Sequence, residues 1–126
     1  MEKAEQIAAI GVNLAEGFIS VRNKYFLDFI ASFPEGEREA VEVNLLSGAV
    51  KPKKIDGFIM KQAVNVYKNW FFSELKKHDI KKEEIEKVLL EVSYKQGNLQ
   101  RKNYICHVTI NAFGKEFKEK VMAAYS

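Results

Sequence analysis

Apolar residues in the middle of the chain recur at spacings of three and four, as on one face of a helix. Between residues 55 and 75 they occupy Ile55, Phe58, Ile59, Ala63, Val66, Tyr67 and Trp70, with Met60, Val64 and Phe71 widening the face. A surface helix usually has an apolar stripe of roughly 100°, and this one is much wider. The pattern predicts a central amphipathic helix at about residues 55–75, with another element packed on each of two sides.

The first part of the chain has the same helical spacing, through Ile7, Ile10, Leu14, Phe18, Val21, Tyr25 and Phe29. A single helix over residues 2–33 would be about 45 Å long at 1.5 Å per residue, too long to stay packed on a small domain. We therefore predict a break near Gly17 or near residues 21–23. A short strand at residues 17–21 is the alternative, because Phe, Ile and Val favour strands.

Residues 37–46 allow two interpretations. After a turn at residues 33–36, glutamates at the start and Gly48 at the end favour a short helix. The competing interpretation is a strand, because Val41, Val43 and Leu45 alternate with polar residues. We favour the helix. Asp56 is predicted to cap the central helix, and Asp79 a short helix at residues 81–87.

From Val88 onwards the hydrophobic period changes to two. Apolar and polar residues alternate in three stretches, which predicts strands at about residues 88–95, 102–113 and 116–125. Gly114-Lys115 provides a tight turn, so we expect a three-stranded antiparallel β-meander. Glu119 falls on the apolar side, and we expect a bulge near it. The sequence therefore predicts one α+β domain, residues 1–126, with two or three N-terminal helices packed on this sheet.

The composition is that of an ordinary folded domain. The 126 residues are 47% hydrophobic and 29% charged, with a net charge of +3. No run of about 18 apolar residues is present, and the N-terminus lacks the apolar region of a signal peptide. The single cysteine, Cys106, cannot form an internal disulfide. We expect a cytoplasmic protein with no membrane association.

Residues that carry chemistry are few and scattered. Cys106 and His107 are adjacent, but neighbours in a strand point to opposite faces, so they cannot act as a pair. Cys106 is predicted to be a core residue. Neither the ligand spacing of a metal site nor a glycine-rich phosphate loop occurs. We therefore predict no catalytic residue, no metal and no cofactor.

The outer face of the predicted sheet suggests a binding function. Basic residues on this face and in the adjoining loop suit a nucleic-acid backbone; they are Lys95, Arg101, Lys102, Lys118 and Lys120. Single-strand binding also needs aromatic residues for base stacking, and only Phe113 is available. Nucleic-acid binding without sequence preference is therefore the alternative function. A less favoured hypothesis is an enzyme with an unrecognised site at His107, Thr109 and Asn111.

Apolar residues on the same face favour self-association. Four of them would form a patch with a polar rim, which is typical of a protein interface: Leu89, Ile105, Phe113 and Met122. Small sheets with free edges also pair across two-fold axes. The function we favour is a non-catalytic interaction module that acts as a homo-oligomer, most simply a dimer, through the sheet or through the exposed side of the first helix.

Overall fold

Helices cover one face of a five-stranded antiparallel sheet. The computed structural model describes residues 2–31, 41–51, 58–98 and 101–125. In these ranges the helices are α1 (Lys3–Phe18), α2 (Lys24–Ala31) and α3 (Phe58–Lys77). The strands are β1 (Val41–Asn44), β2 (Val50–Lys51), β3 (Ile85–Gln96), β4 (Lys102–Ala112) and β5 (Lys115–Tyr125), in the order β2-β1-β3-β4-β5. The α+β class is confirmed, whereas the predicted number of three strands was wrong.

Strand β1 lies in the segment with two interpretations, residues 37–46, and β2 follows that segment. Val41 and Val43 are buried, and Val43 pairs with Leu90 of β3. Alternation places both valines on the covered face of the sheet, which a helix would not do. The predicted helix at residues 37–46 was therefore wrong over residues 41–44. Gly48, at φ +79°, lies in the turn between β1 and β2 instead of ending a helix.

Three further expectations concern residues outside the described ranges. They are the turn at residues 33–36, the first part of the proposed helix at residues 37–40 and the cap at Asp56.

The break in the N-terminal helix is confirmed. Helix α1 ends at Phe18 and a 3₁₀ turn at Val21–Asn23 leads into α2, so no strand forms at residues 17–21. The buried Asn23 donates a hydrogen bond from Nδ2 to the Phe18 carbonyl oxygen at 2.8 Å, and Ser20 Oγ donates to the Gly17 carbonyl oxygen at 2.8 Å. These side chains satisfy carbonyl groups that the end of a helix leaves without partners.

Helix α1 lies directly on β4 and β5, and α3 lies against α1. Gly11 makes the first contact possible, because a Cβ there would come within 3.1 Å of Ile110 Cδ1. At the α1–α3 contact, the Tyr67 hydroxyl donates to the Gly17 carbonyl oxygen at 2.8 Å. Helix α3 confirms the predicted central helix over residues 58–75 and continues to Lys77, while residues 55–57 lie outside the described ranges. The expectation that it is covered on two sides fails at Val66, which is 63% exposed.

The C-terminal meander is confirmed, with local differences. The register between β4 and β5 is continuous, so the bulge expected near Glu119 is absent there; the irregularity lies in β3, between Ile85 and Lys87. The β4–β5 turn consists of Phe113 and Gly114, both at positive φ, as a two-residue type I′ hairpin requires. The helix predicted at residues 81–87 is a single 3₁₀ turn, Lys82–Glu84.

Asp79 ends α3 and does not cap a following helix. The Ile80 N–H donates to the Leu75 carbonyl oxygen at 2.9 Å, and the Asp79 N–H donates to the Lys76 carbonyl oxygen at 3.2 Å. These two bonds form a Schellman motif, and its left-handed position is Asp79, at φ +56°. Glycine usually occupies this position, since a side chain there is strained.

Replacing Asp79 with glycine is therefore expected to raise the free energy of unfolding by about 1 kcal/mol. The substitution relieves the left-handed backbone and removes a negative charge from the negative end of the helix dipole. Urea denaturation measures the change. Asp79→Ala, which removes the charge but keeps the Cβ, is the matched control and should gain less. A loss of stability in Asp79→Gly would contradict a strained backbone at this helix end.

Candidate interaction surface

The outer face of the sheet, turned away from the helices, is divided by a row of ionisable side chains. The strand register aligns one residue from each of the five strands. We call these residues the charged row: Lys51, Glu42, Glu91, His107 and Lys120. The two glutamates are half-buried, and the other three side chains are exposed. Any partner that covered the centre of this face would have to remove these groups from water.

The structure brings together two of the four apolar residues predicted for an interface. Ile105 and Met122 are cross-strand partners on one side of the charged row, and Met122 is 64% exposed. Leu89 lies on the other side of the row. Phe113 lies in the β4–β5 turn and packs against the core. The predicted patch is therefore not continuous.

The five predicted basic residues do not form one surface. Lys118 and Lys120 project side by side from the outer face of β5, and Lys118 Nζ lies 3.2 Å from Glu116 Oε1. Lys95 is exposed near the far end of β3, and Arg101 is exposed just before β4. Lys102, opposite Tyr125, belongs to the helix-covered side of the sheet.

Acidic residues are interspersed among these cations, and this arrangement gives a mixed surface rather than a basic one. In the described strands the outer face carries no Phe, Tyr or Trp. It therefore lacks side chains on which unpaired bases usually stack.

A surface cavity of about 270 Å³ lies on the outer face. Its lining consists of Glu91, His107, Val108, Thr109, Lys118 and Glu119. Two of the three residues of the enzyme hypothesis, His107 and Thr109, therefore lie together, while Asn111 is not part of the lining. Asn111 Oδ1 is buried without a hydrogen-bond partner in the described part of the chain.

Cys106 lies on the other face from His107 and is completely buried, so the prediction of a core residue is confirmed. Burial raises the pKa of its thiol to about 12, and the negative charge of Glu91 contributes in the same direction. The thiol therefore stays protonated at neutral pH and behaves as a small hydrophobic group.

Strand β5 is the long free edge of the sheet. It has eleven residues and pairs with β4 only; no other strand within the described ranges lies beside it. The opposite edge, β2, has two residues within the described ranges. A free edge presents unpaired backbone N–H and C=O groups, and long edges readily pair with another chain. The covered side of β5 also carries half-buried apolar side chains: Phe117, Val121, Ala123 and Tyr125.

Sequence reasoning missed that β5 is the sheet's long free edge. In an isolated three-stranded meander both outer strands are edges, and only the pairing of β1 with β3 leaves β5 as the long one. The sequence signal for β1 was the alternation of Val41 and Val43 with the polar residues Glu42 and Asn44.

Comparison with protein-family models, curated proteins and solved structures gives no match. None of the helices that the structure describes is both long and apolar enough to cross a membrane. In the same ranges, no three or more His, Cys, Asp or Glu side chains are grouped so that they could hold a metal ion.

Proposed function

We propose that this protein is a non-catalytic binding module that acts as a homodimer, with the free edge of β5 as its self-association surface. The observation that carries the proposal is the position of β5: eleven residues long and paired on one side only among the described strands. Antiparallel pairing with a second copy across a two-fold axis satisfies the free backbone groups of both chains. It also covers half-buried apolar surface on the paired part of β5, such as Phe117.

The edge suits self-association better than the outer face does. Stacking two outer faces would bury the charged row, including the facing carboxylates Glu42 and Glu91. Removing paired or unpaired charges from water carries a large penalty that Coulomb attraction seldom offsets in full. Edge pairing leaves the charged row in solvent. Ile105 and Met122 then form a small exposed apolar contact next to the interface.

The proposal predicts a solution mass near twice 14.5 kDa at high protein concentration. Light scattering over a dilution series measures it, and hydrogen exchange at concentrations above and below the dissociation constant locates the interface. Backbone amides of β5 that lie in the interface should gain protection in the dimer, because carbonyl groups of the second copy accept their hydrogen bonds.

Strand β2 is the internal control, since it is the other edge and should exchange equally in both states. A protein that is monomeric at every concentration contradicts the proposal. A dimer that protects α3 and not β5 contradicts the choice of surface.

The alternative is a nucleic-acid-binding role without sequence preference. The adjacent exposed side chains of Lys118 and Lys120 support it. The support is weaker than for the dimer, because Lys118 Nζ lies 3.2 Å from Glu116 Oε1 and Glu91 lines the same cavity as Lys118. Nucleic acid that co-purifies with the protein and is released steeply with salt would favour this alternative.

A further inference from the structure

We infer that two copies of β5 pair antiparallel about a two-fold axis that passes through Phe117. This inference rests on the proposed homodimer and specifies its register. In a symmetric antiparallel pair, the residue on the axis faces its own copy, and residues equally far from it on either side face each other. The charges of β5 therefore decide which positions of the axis are possible.

Five of the eleven positions in β5 would make a charged residue on the axis face its own copy. An axis at Glu116, Lys118, Glu119 or Lys120 makes that charged residue face its own copy. Like charges directly opposite in a sheet are destabilising. Between residues 116 and 121, only Phe117 and Val121 remain. The lysines and glutamates that protect this edge against random pairing thus leave two registers in the charged part of β5. An axis at Met122 or beyond avoids like charges too, but it gives the charges of β5 no partner.

The axis at Phe117 turns the same charges into attractive pairs. Lys115 of each copy then faces Glu119 of the other, and Glu116 of each copy faces Lys118 of the other. Four opposite-charge pairs flank the axis. With the axis at Val121, Lys118 faces Ala124 and Glu119 faces Ala123, so these charges gain no partner. That register pairs more residues but leaves its charges unmatched.

Glu119 supports the register at Phe117 independently. It is an acidic residue on the helix-covered side of β5, it is half-buried, and its partner in β4 is the fully buried Val108. Glu119 forms no ion pair with any residue in the described ranges. A second copy placed over this carboxylate without a cation would remove its water at a considerable penalty. With the axis at Phe117, Lys115 of the other copy lies opposite Glu119 and provides this cation.

The middle of helix α1 lies level with the same axis. A Cβ at Gly11 would come within 3.1 Å of Ile110 Cδ1 and 3.7 Å of Val108 Cγ1, and these two residues pair with Phe117 and Glu119. Since α1 lies over β4 and β5 and strands are spaced about 4.8 Å apart, the two α1 helices would run about 10 Å apart. Packed helices are usually separated by 8–10 Å. The two-fold axis therefore brings the middle of each α1 next to the other.

The side of α1 that would form this contact carries small residues. Ala4, Ala8 and Val12 follow one another at intervals of four and are half-buried. At 3.6 residues per turn, Ala8 lies opposite Gly17, where a Cβ would come within 3.1 Å of Tyr67 Cε1 of α3. The stripe therefore faces away from α3, toward the free edge of the sheet. Small side chains allow two helices to approach closely, so the sheet and the helix define one continuous interface.

Two single-charge variants test the register, because they should fail alone and succeed together. Glu116→Lys places lysines opposite each other in its homodimer, and Lys118→Glu places glutamates opposite each other. Each variant should dimerise at least about tenfold more weakly than the parent. In an equal mixture, position 116 of one variant faces the opposite charge at position 118 of the other. The mixture should therefore form a heterodimer with nearly parental affinity.

Both side chains are largely exposed, so the variants should fold. Loss of the Lys118–Glu116 contact within one chain cannot explain recovery on mixing. Lys120→Glu is the matched control, since Lys120 lies just beyond the paired residues 115–119 under this register, and it should change the dissociation constant by no more than about twofold. A second pair of variants tests the contact between the two α1 helices. Ala8→Lys should weaken the dimer, whereas Ala9→Lys, on the exposed side of the helix, should not.

The outcomes separate the register from the proposed function. If the parent forms a dimer and both Glu116→Lys and Lys118→Glu dimerise with the same affinity, the register at Phe117 is wrong. The proposed homodimer is then unaffected. Weak variants that do not recover on mixing also overturn the register. A parent that remains monomeric overturns the proposed function itself, together with the register.

Discussion

Replacing Phe18 with alanine is expected to lower the free energy of unfolding by about 3–5 kcal/mol. Phe18 is completely buried at the end of α1. The centroid of its ring lies 4.7 Å from that of Phe26 in α2 and 5.1 Å from that of Tyr67 in α3. Truncation therefore opens a cavity where the three helices meet. Urea denaturation measures the loss, provided that the slope of the unfolding free energy against urea concentration is the same in parent and variant.

The matched control for this prediction lies three residues further along the chain. Val21 is 64% exposed, so Val21→Ala should change stability by less than about 0.5 kcal/mol. A loss below about 1 kcal/mol in Phe18→Ala would show that the junction of the three helices can collapse around the gap. Phe18 would then not be the residue that holds the three helices together.

The long elements could be predicted from the sequence because their patterns extend over many residues. Helix α3 repeats its apolar spacing over twenty residues, and β4 and β5 alternate over eleven residues each. A pattern of that length excludes the other period. The break between α1 and α2 was predictable for a different reason, since a continuous helix would have outgrown the domain.

Strand β1 could not be settled in the same way. Four residues provide too little periodicity to separate a strand from a helix, and the decisive interaction is the pairing of Val43 with Leu90. These residues are far apart in the sequence. That α1 lies directly on β4 and β5, with α3 against α1, could not be predicted for a related reason. Gly11 allows α1 to approach β4 closely, but an amphipathic pattern does not say which neighbour each face meets.

The candidate surface was predictable residue by residue but not as a whole. Met122 was expected on the outer face and is exposed there. The turn begins one residue earlier than predicted, at Phe113, and this shift removes Phe113 from the strand face on which it was counted. Leu89 is separated from Ile105 by the charged row, whose alignment depends on the register of five strands. Register is a tertiary property, and a single residue of slip changes every neighbour.

Cys106 is expected to react with thiol reagents at least about a thousandfold more slowly in the folded protein than in the unfolded chain near pH 8. Burial raises the pKa of its thiol from 9.0 to about 12, with a smaller contribution from the charge of Glu91, and only the thiolate reacts. Stopped-flow reaction with a disulfide reagent, with and without urea, measures the ratio. Met122→Cys supplies an exposed thiol as the control and should react rapidly in the folded state. Rapid labelling of Cys106 in the native parent would contradict its place in the core.

The same raised pKa predicts how stability depends on pH. Below about pH 9 the thiol is protonated in both the folded and the unfolded chain, so its contribution to stability is fully present. As pH rises from about 9 toward 12, the unfolded chain loses this proton and the folded protein keeps it, so the free energy of unfolding falls. Tyr104 acts in the same direction at higher pH, because burial raises its pKa to about 12, with smaller contributions from Tyr94, Asp28 and Tyr125. Cys106→Ala should therefore reduce the alkaline loss of stability without abolishing it, and an unchanged slope between pH 9 and 11 would show that the thiol ionises equally in both states.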